Sequence, residues 1–210
     1  MAYRVPPLLP IPARFYEAVT ACMAAKPLQH QDELVMLLSW LAALDPPFRF
    51  GTIVEIGSHR GGTLELWARL AQDCVVAIDL PNGVGGGLAP AAMQVRNTDF
   101  ATRFPHVIGI AGDSHEEATA ERLEAILNGR PIDLLFLDGD HTAAGVEADV
   151  LMYAPLVRDG GVIAFHDVTC SPDRAARENL GVTEVFASVP PPRWIFSVGH
   201  EWGGIGVVVA

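Results

Sequence analysis

The chain has 210 residues, 50% of them hydrophobic, with 14 Lys+Arg against 25 Asp+Glu and a formal net charge of −11. That length predicts one large domain or a core with short appendages, and the apolar content excludes a disordered chain. The acidic excess argues against nucleic acid as a partner, since phosphate backbones demand a basic face, and no apolar run reaches the roughly 18 residues of a membrane span.

Residues 1–12 carry Pro6, Pro7, Pro10 and Pro12, which reads as an extended arm without the continuous apolar stretch of a signal peptide. Two helical patterns follow. Residues 13–25 are Ala-rich and modestly amphipathic, and in 31–44 Leu34, Leu37, Leu38, Leu41 and Leu44 recur on one helical face until Asp45-Pro46-Pro47 stops the helix. We take 1–50 as an N-terminal arm with helices, either a cover for a pocket or a dimer surface, and 51–210 as the main domain.

From there short apolar runs alternate with helical windows. Strands are expected at 52–56, 75–79, 107–110, 132–137 and 161–165, with helices at 61–72, 89–103, 115–128 and 142–157. Strands that are apolar throughout, each followed by a helix, predict a parallel sheet covered on both faces, and right-handed crossovers make it doubly wound. After Pro190-Pro191-Pro192, the runs 194–198 and 205–209 around a Gly-containing loop at 199–204 read as an antiparallel hairpin. The expected fold class is therefore α/β: a Rossmann-like, mostly parallel seven-stranded sheet with a C-terminal antiparallel hairpin and N-terminal helices.

In such a sheet ligands bind beyond the carboxyl ends of the strands. The first strand runs into Glu55-Ile56-Gly57-Ser58-His59-Arg60-Gly61-Gly62-Thr63, a turn that lets the backbone approach a ligand at a helix N-terminus. The dinucleotide pattern GxGxxG is absent, and Glu55 suits an ammonium better than a pyrophosphate. Asp79, closing the second strand, is placed to accept hydrogen bonds from ribose hydroxyls. Gly112-Asp113-Ser114 closes the third, within reach of an adenine edge, although Ser114 also fits a plain helix cap.

The fourth strand ends in Asp138-Gly139-Asp140-His141 and the fifth in Phe165-His166-Asp167. Carboxylates crowded on one edge repel unless a cation offsets them, and a divalent metal on Asp138 and Asp167 is the simplest offset, Mg²⁺ before others. Such a metal would hold and acidify an acceptor oxygen, with His141 as the first candidate for general base and Asp140 as the second.

These motifs resemble the class I S-adenosylmethionine-dependent methyltransferases over about 51–209, through the E-x-G-x-x-x-G-x-T turn and the terminal hairpin. Within that superfamily the chain looks like the small bacterial branch related to cephalosporin-hydroxylase-type and sugar O-methyltransferases. Its cofactor turn is similar to that of catechol O-methyltransferase. The resemblance implies S-adenosyl-L-methionine as cofactor, with Gly57 and Gly61, and around them Ser58, Gly62 and Thr63, at its methionine part. By the same resemblance Asp79 would hold the ribose, Gly112, Asp113 and Ser114 would lie by the adenine, and Glu55 would support the loop and the amino end. It also implies a base three residues after the first Asp, which is His141. His166 departs from the family pattern, which has an acid there. It either ligates a softer metal such as Mn²⁺ or Zn²⁺, faces the substrate, or hydrogen-bonds in a packed loop.

The partner expected is a small hydroxylated acceptor such as a sugar or secondary metabolite, with no nucleic acid and no membrane. A homo-oligomer is left open. Cys22, Cys74 and Cys170 form neither a disulfide framework nor a metal motif, so the expected compartment is the cytoplasm. The Gly-rich stretch 81–90 reads as a lid or a surface loop, and Trp40, Trp194 and Trp202 as pocket walls or core. Two other functions compete: an NAD(P)-dependent oxidoreductase, which leaves the acidic cluster unexplained, and a non-catalytic cofactor-binding protein.

Overall fold

The computed structural model describes residues 11–83, 87–199 and 201–210. The arm up to residue 10, Gly85 and Gly86 of the 81–90 stretch, and His200 lie outside them. Helices α1 (Ala13–Ala24) and α2 (Gln31–Ala42) come first, and then strands and helices alternate: β1 (Thr52–Ile56), α3 (Gly62–Leu70), β2 (Cys74–Asp79), α4 (Pro90–Arg103), β3 (Val107–Ala111), α5 (Glu117–Leu127), β4 (Ile132–Leu137), α6 (Ala143–Tyr153) and β5 (Val157–Cys170). The chain closes with α7 (Pro172–Glu178), α8 (Val182–Ser188), β6 (Arg193–Phe196) and β7 (Trp202–Val209).

The seven strands form one sheet in the order β3-β2-β1-β4-β5-β7-β6. The first five are parallel, and β7 runs antiparallel to both β5 and β6. Strand order reverses between β1 and β4, the switch point at which ligands of such sheets are expected.

Alternation along each strand builds two cores. Ile53, Val75, Ala77, Leu134, Phe136, Val162 and Ala164 pack under α1, α2 and α3. Val54, Ile56, Val76, Ile78, Leu135, Leu137, Ile163 and Phe165 pack with α5, α6 and α8. The N-terminal helices thus share a core with the sheet, through Leu34, Leu37, Leu38 and Leu41. Trp40 and Trp194 belong to that packing, with ring centroids 4.9 Å apart. Among the described residues no helix is long and apolar enough to cross a membrane.

Four expectations are corrected. The helix expected at 142–157 stops at Tyr153, because Pro155 lacks the N–H that another turn would need, and residues 154–156 form a 3-10 turn. Strand β5 does not end at His166-Asp167 but continues to Cys170, pairing with β7 on both sides of a bulge. Trp202, Gly203 and Gly204, read as hairpin loop, already belong to β7. The segment 171–189, for which no element is expected, folds as two short helices. The first is signalled by Ser171-Pro172, whose Ser171 hydroxyl accepts from the Arg174 N–H at 3.3 Å.

Tyr153 anchors the far end of α6. It is fully buried, and its hydroxyl donates to the Ser114 carbonyl in the turn after β3 at 2.6 Å. Tyr153→Phe leaves that carbonyl without its donor, a loss of about 1 kcal/mol. Differential scanning calorimetry should show the melting midpoint lowered by about 2–4 °C for a chain of this size.

Candidate functional site

The turn after β1 is set by two backbone bonds to its neighbours. The Gly57 N–H donates to the Ile78 carbonyl at 2.9 Å, and the Asp138 N–H donates to the Ile56 carbonyl at 2.9 Å. Gly57 has φ 85°, and a Cβ on it would collide with the Asp138 carbonyl, so no other residue fits without displacing the turn that carries Asp138. Helix α3 then starts at Gly62 and directs its N-terminus, with Thr63, to the same edge.

Glu55 lies beneath this turn and not in the open space above it. It is fully buried, and one oxygen accepts from the Trp67 indole N–H at 3.0 Å. Burial pushes its carboxyl up to about 8, against hydrogen bonds from Thr63 and Trp67 that favour the anion. Ser58 is buried too, with its hydroxyl unpartnered.

Asp79 does close β2, but one of its oxygens is engaged by the Arg96 guanidinium of α4 at 2.7 Å. Arg96 also donates to the His59 carbonyl, tying the β1 turn to the β2 turn. After β3, Gly112 packs under Thr119, and Asp113 turns the chain by accepting from the His115 N–H at 2.9 Å. The Ser114 side chain does not cap α5, whose N-cap is Glu116. Its carbonyl holds Tyr153 instead.

Asp138, His141, His166 and Asp167 meet at the ends of β4 and β5. His166 Nδ1 is 3.1 Å from Asp138 Oδ1 and 3.1 Å from Asp167 Oδ1. His141 Nε2 is 3.4 Å from Asp138 Oδ1 and 3.0 Å from Asp167 Oδ2. Burial opposes the imidazolium of His141, but the charges and polar contacts of Asp138 and Asp167 outweigh it and lift His141 to about 10. His166 rises for the same reasons, again against burial. Asp138 moves the opposite way: burial resists ionisation, yet the two histidines hold the carboxyl well below the usual range. Asp138, His141 and Asp167 can each turn one ligand atom to a common point, these atoms lying within 4.8 Å of one another. His141 Nε2 and Asp167 Oδ1 lack an aligned hydrogen-bond partner. The two carboxylates, with His141 beside them, fit a divalent cation.

Asp140, the second candidate for a base, does not join them. Its carboxylate accepts from the Thr142 N–H at 2.8 Å and packs on Gly145, so it shapes the entry to α6 outside the cleft. The cleft has a volume of about 300 Å³ and brings Gly57, Ser58, Gly62 and Thr63 against Asp138, His141, His166 and Asp167. Of its outer wall, Trp202 and a general contribution from the N-terminal segment were expected, and the other residues were not. Lys26, Pro27 and Gln29 from the α1–α2 connection, Arg174 from α7 and Trp202 from β7 complete it. The Arg174 guanidinium stacks on Trp202, 4.6 Å from the ring centroid. None of these carries a local motif, and only the tertiary fold delivers them.

The Glu55 carboxyl makes the fold sensitive to pH. The folded chain keeps this proton between about 4.5 and about 8, where the unfolded chain has released it. The state that binds more protons loses stability as pH rises, so this group weakens the fold progressively across that window. Glu55→Gln removes the titration while retaining an acceptor for Trp67. Its melting midpoint should fall less than that of the parent chain between pH 5 and pH 8, read by circular dichroism without cofactor.

A family model described as "Methyltransferase domain" matches residues 54–168, from β1 to the bulge of β5. A protein of Acanthamoeba polyphaga mimivirus, "Uncharacterized protein R132", is 33% identical over 163 residues, which are 76% of this chain and 72% of that protein. Among solved structures, the O-methyltransferase from Bacillus cereus in complex with SAH is similar with a TM-score of 0.54 and 20% identity, covering 97% of this chain and 94% of that one. MycE from the mycinamycin biosynthetic pathway, in complex with Mg and SAH, gives a TM-score of 0.54 at 18% identity, covering 95% of this chain and 55% of its own. The chain belongs to the methyltransferase-domain family, and its fold is that of the class I S-adenosylmethionine-dependent methyltransferases.

Proposed function

We propose that this methyltransferase uses S-adenosyl-L-methionine to methylate a hydroxyl of a small molecule, such as a sugar or a secondary metabolite, with a divalent cation at Asp138 and Asp167 and with His141 as general base. The observation that carries the reading is the single cleft in which the Gly57–Thr63 turn faces Asp138, His141, His166 and Asp167. The SAH in the Bacillus cereus enzyme and the Mg and SAH in MycE support the choice of ligands.

In this reading the β1 turn and the α3 N-terminus take the methionine end of the cofactor. Asp79 meets the ribose with the oxygen that Arg96 leaves free, and Gly112, Asp113 and Ser114 border the adenine. The cleft walls hold the acceptor in line with the methyl group and the departing sulfur, which is the main work of the protein in a reaction whose leaving group is built into the cofactor.

Whether His141 can act as a base depends on its neighbours. While Asp138 and Asp167 carry unscreened charge, the imidazole keeps its own proton and cannot take another. Neutralising those charges returns it to the neutral form that a base requires. Asp138 and Asp167 would hold a divalent cation there, which would supply that neutralisation and would lower the pKa of an acceptor hydroxyl. Mg²⁺ suits the carboxylates, and the imidazoles extend the choice to Mn²⁺ or Zn²⁺. His166, only 2% exposed, is placed to orient Asp138 and Asp167 as much as to ligate. The connection between the N-terminal helices, Lys26 to Gln29, borders the acceptor end.

Isothermal titration should show binding of S-adenosylhomocysteine and none of NAD(H). Transfer from a labelled cofactor to a panel of hydroxylated acceptors should fall at least about 100-fold in His141→Asn, with cofactor affinity unchanged. Chelation should abolish transfer, and added Mg²⁺ or Mn²⁺ should restore it. Full activity after exhaustive chelation would remove the cation from this proposal.

A further inference from the structure

Gln29 lies in the connection between α1 and α2, more than 100 residues from the acidic cluster in sequence, yet its side-chain amide donates to Asp138 Oδ2. It is no solvent-facing contact, since Gln29 is 6% exposed. Its backbone is held close to the cofactor turn: Pro27, two residues earlier, packs so tightly on Gly62 at the start of α3 that a Cβ there would collide with it.

The two oxygens of Asp138 therefore have separate surroundings. Oδ2 faces Gln29. Oδ1 faces His166 Nδ1 at 3.1 Å and His141 Nε2 at 3.4 Å, on the side where Asp167 also lies. A ligand arriving among Asp138, His141 and Asp167 meets Oδ1 alone, because rotating the carboxylate to offer both oxygens would break the bond from Gln29 and leave a buried amide unpaired. The number of oxygens an aspartate offers decides which cation it suits. Mg²⁺ needs near-octahedral geometry with short bonds, whereas Ca²⁺ accepts a carboxylate through both oxygens in a larger shell.

We propose that Gln29 is a positioning residue that restricts Asp138 to one-oxygen ligation and so makes the cleft prefer small octahedral cations over Ca²⁺. This rests on the cation reading of the preceding section and adds to it a contribution from the N-terminal segment. In this role Gln29, which also lines the cleft, acts through Asp138.

The test uses the full chain with saturating S-adenosylhomocysteine and follows free Mn²⁺ by electron paramagnetic resonance, with Mg²⁺ and Ca²⁺ as competitors. Gln29→Leu removes the donor, and Gln29→Met does so while keeping length and shape. Both should weaken Mn²⁺ binding at least about 10-fold, the usual effect of losing a partner that orients a ligand. Both should also shift the Mg²⁺/Ca²⁺ competition ratio severalfold toward Ca²⁺, with S-adenosylhomocysteine affinity near that of the parent chain and the melting midpoint lowered by a few degrees as the buried Asp138 oxygen loses its donor. A parent chain that binds no Mn²⁺ at millimolar concentration overturns the cation reading, and this inference with it. A parent chain that binds Mn²⁺ while both variants keep its affinity and ratio overturns the role of Gln29 alone. So does a loss of S-adenosylhomocysteine affinity as large as the loss of Mn²⁺ affinity, which would make Gln29 a support of the cofactor turn.

Discussion

The contact between the turns after β1 and β4 is the constraint on which the site depends. These strands are neighbours at the centre of the sheet, and their turns are so close that the carbonyl of Asp138 occupies the space a side chain on Gly57 would need. The Asp138 N–H reaches back to Ile56, so the glycine turn after β1 and the turn that carries Asp138 are one hydrogen-bonded unit. Any ligand seated above Gly57 is thereby seated beside Asp138. Catalysis by alignment requires such fixed spacing, because a reacting pair misplaced by a fraction of an ångström loses much of the advantage of being bound.

The electrostatics follow from that crowding. Asp138 and Asp167 are buried within contact distance of the same histidines, an arrangement that costs several kcal/mol unless each charge has a partner. Without a cation, His141 and His166 are those partners, and both hold their protons strongly. The chain thus keeps a positive charge in the place where the proposed chemistry calls for one. Around this centre three further acids are settled separately: Asp79 by Arg96, Asp133 by Arg158 at 2.6 Å, and Glu55 by retaining its proton. Of the six acids expected around one cleft, only Asp138 and Asp167 line it, while Asp140 stands outside and Glu55 lies beneath with its proton. The net charge of −11 is therefore mainly a property of the rest of the chain.

What could be read from the chain follows the reach of each physical signal. The parallel strands were legible because burial on both faces leaves uninterrupted runs such as Leu134-Leu135-Phe136-Leu137, and the acids at their ends follow from the rule that such sheets bind at their carboxyl edge. The α2 stripe was legible by its period. Pro155 was a stop signal that the helical periodicity around it masked, and Ser171-Pro172 was a start signal before a helix too short to show a period. Asp140 illustrates the limit of spacing arguments: it stands two residues from Asp138, but an Asx-type bond to Thr142 turns it away from the cleft. Trp202 was legible only as an aromatic residue that could wall a pocket or fill a core, and Gln29 and Arg174 had no signal at all, since nothing near them in sequence marks a wall that only folding assembles.

The bulge in β5 shows how a functional demand is written into a distant strand. Between His166 and Thr169 two residues, Asp167 and Val168, stand opposite one residue of β7, Gly204. Asp167 takes φ 62°, a left-handed conformation that an aspartate tolerates at a cost, and the departure from regular pairing turns its carboxylate toward His141 and Asp138. The partner strand has to yield. Gly203 and Gly204 adopt φ 122° and 78°, and a Cβ on Gly204 would press on the Thr169 hydroxyl, which instead donates to the Gly203 carbonyl at 2.8 Å. Glycines inside a strand weaken it, so their presence in β7 needs a reason of this kind. They resemble a hairpin loop in sequence because the backbone freedom that makes a loop is the same freedom that lets a regular strand pair with one bent to present an acid. The strain at Asp167 and the glycines opposite it are two sides of one requirement, and the antiparallel hairpin that ends the fold is the element that meets it.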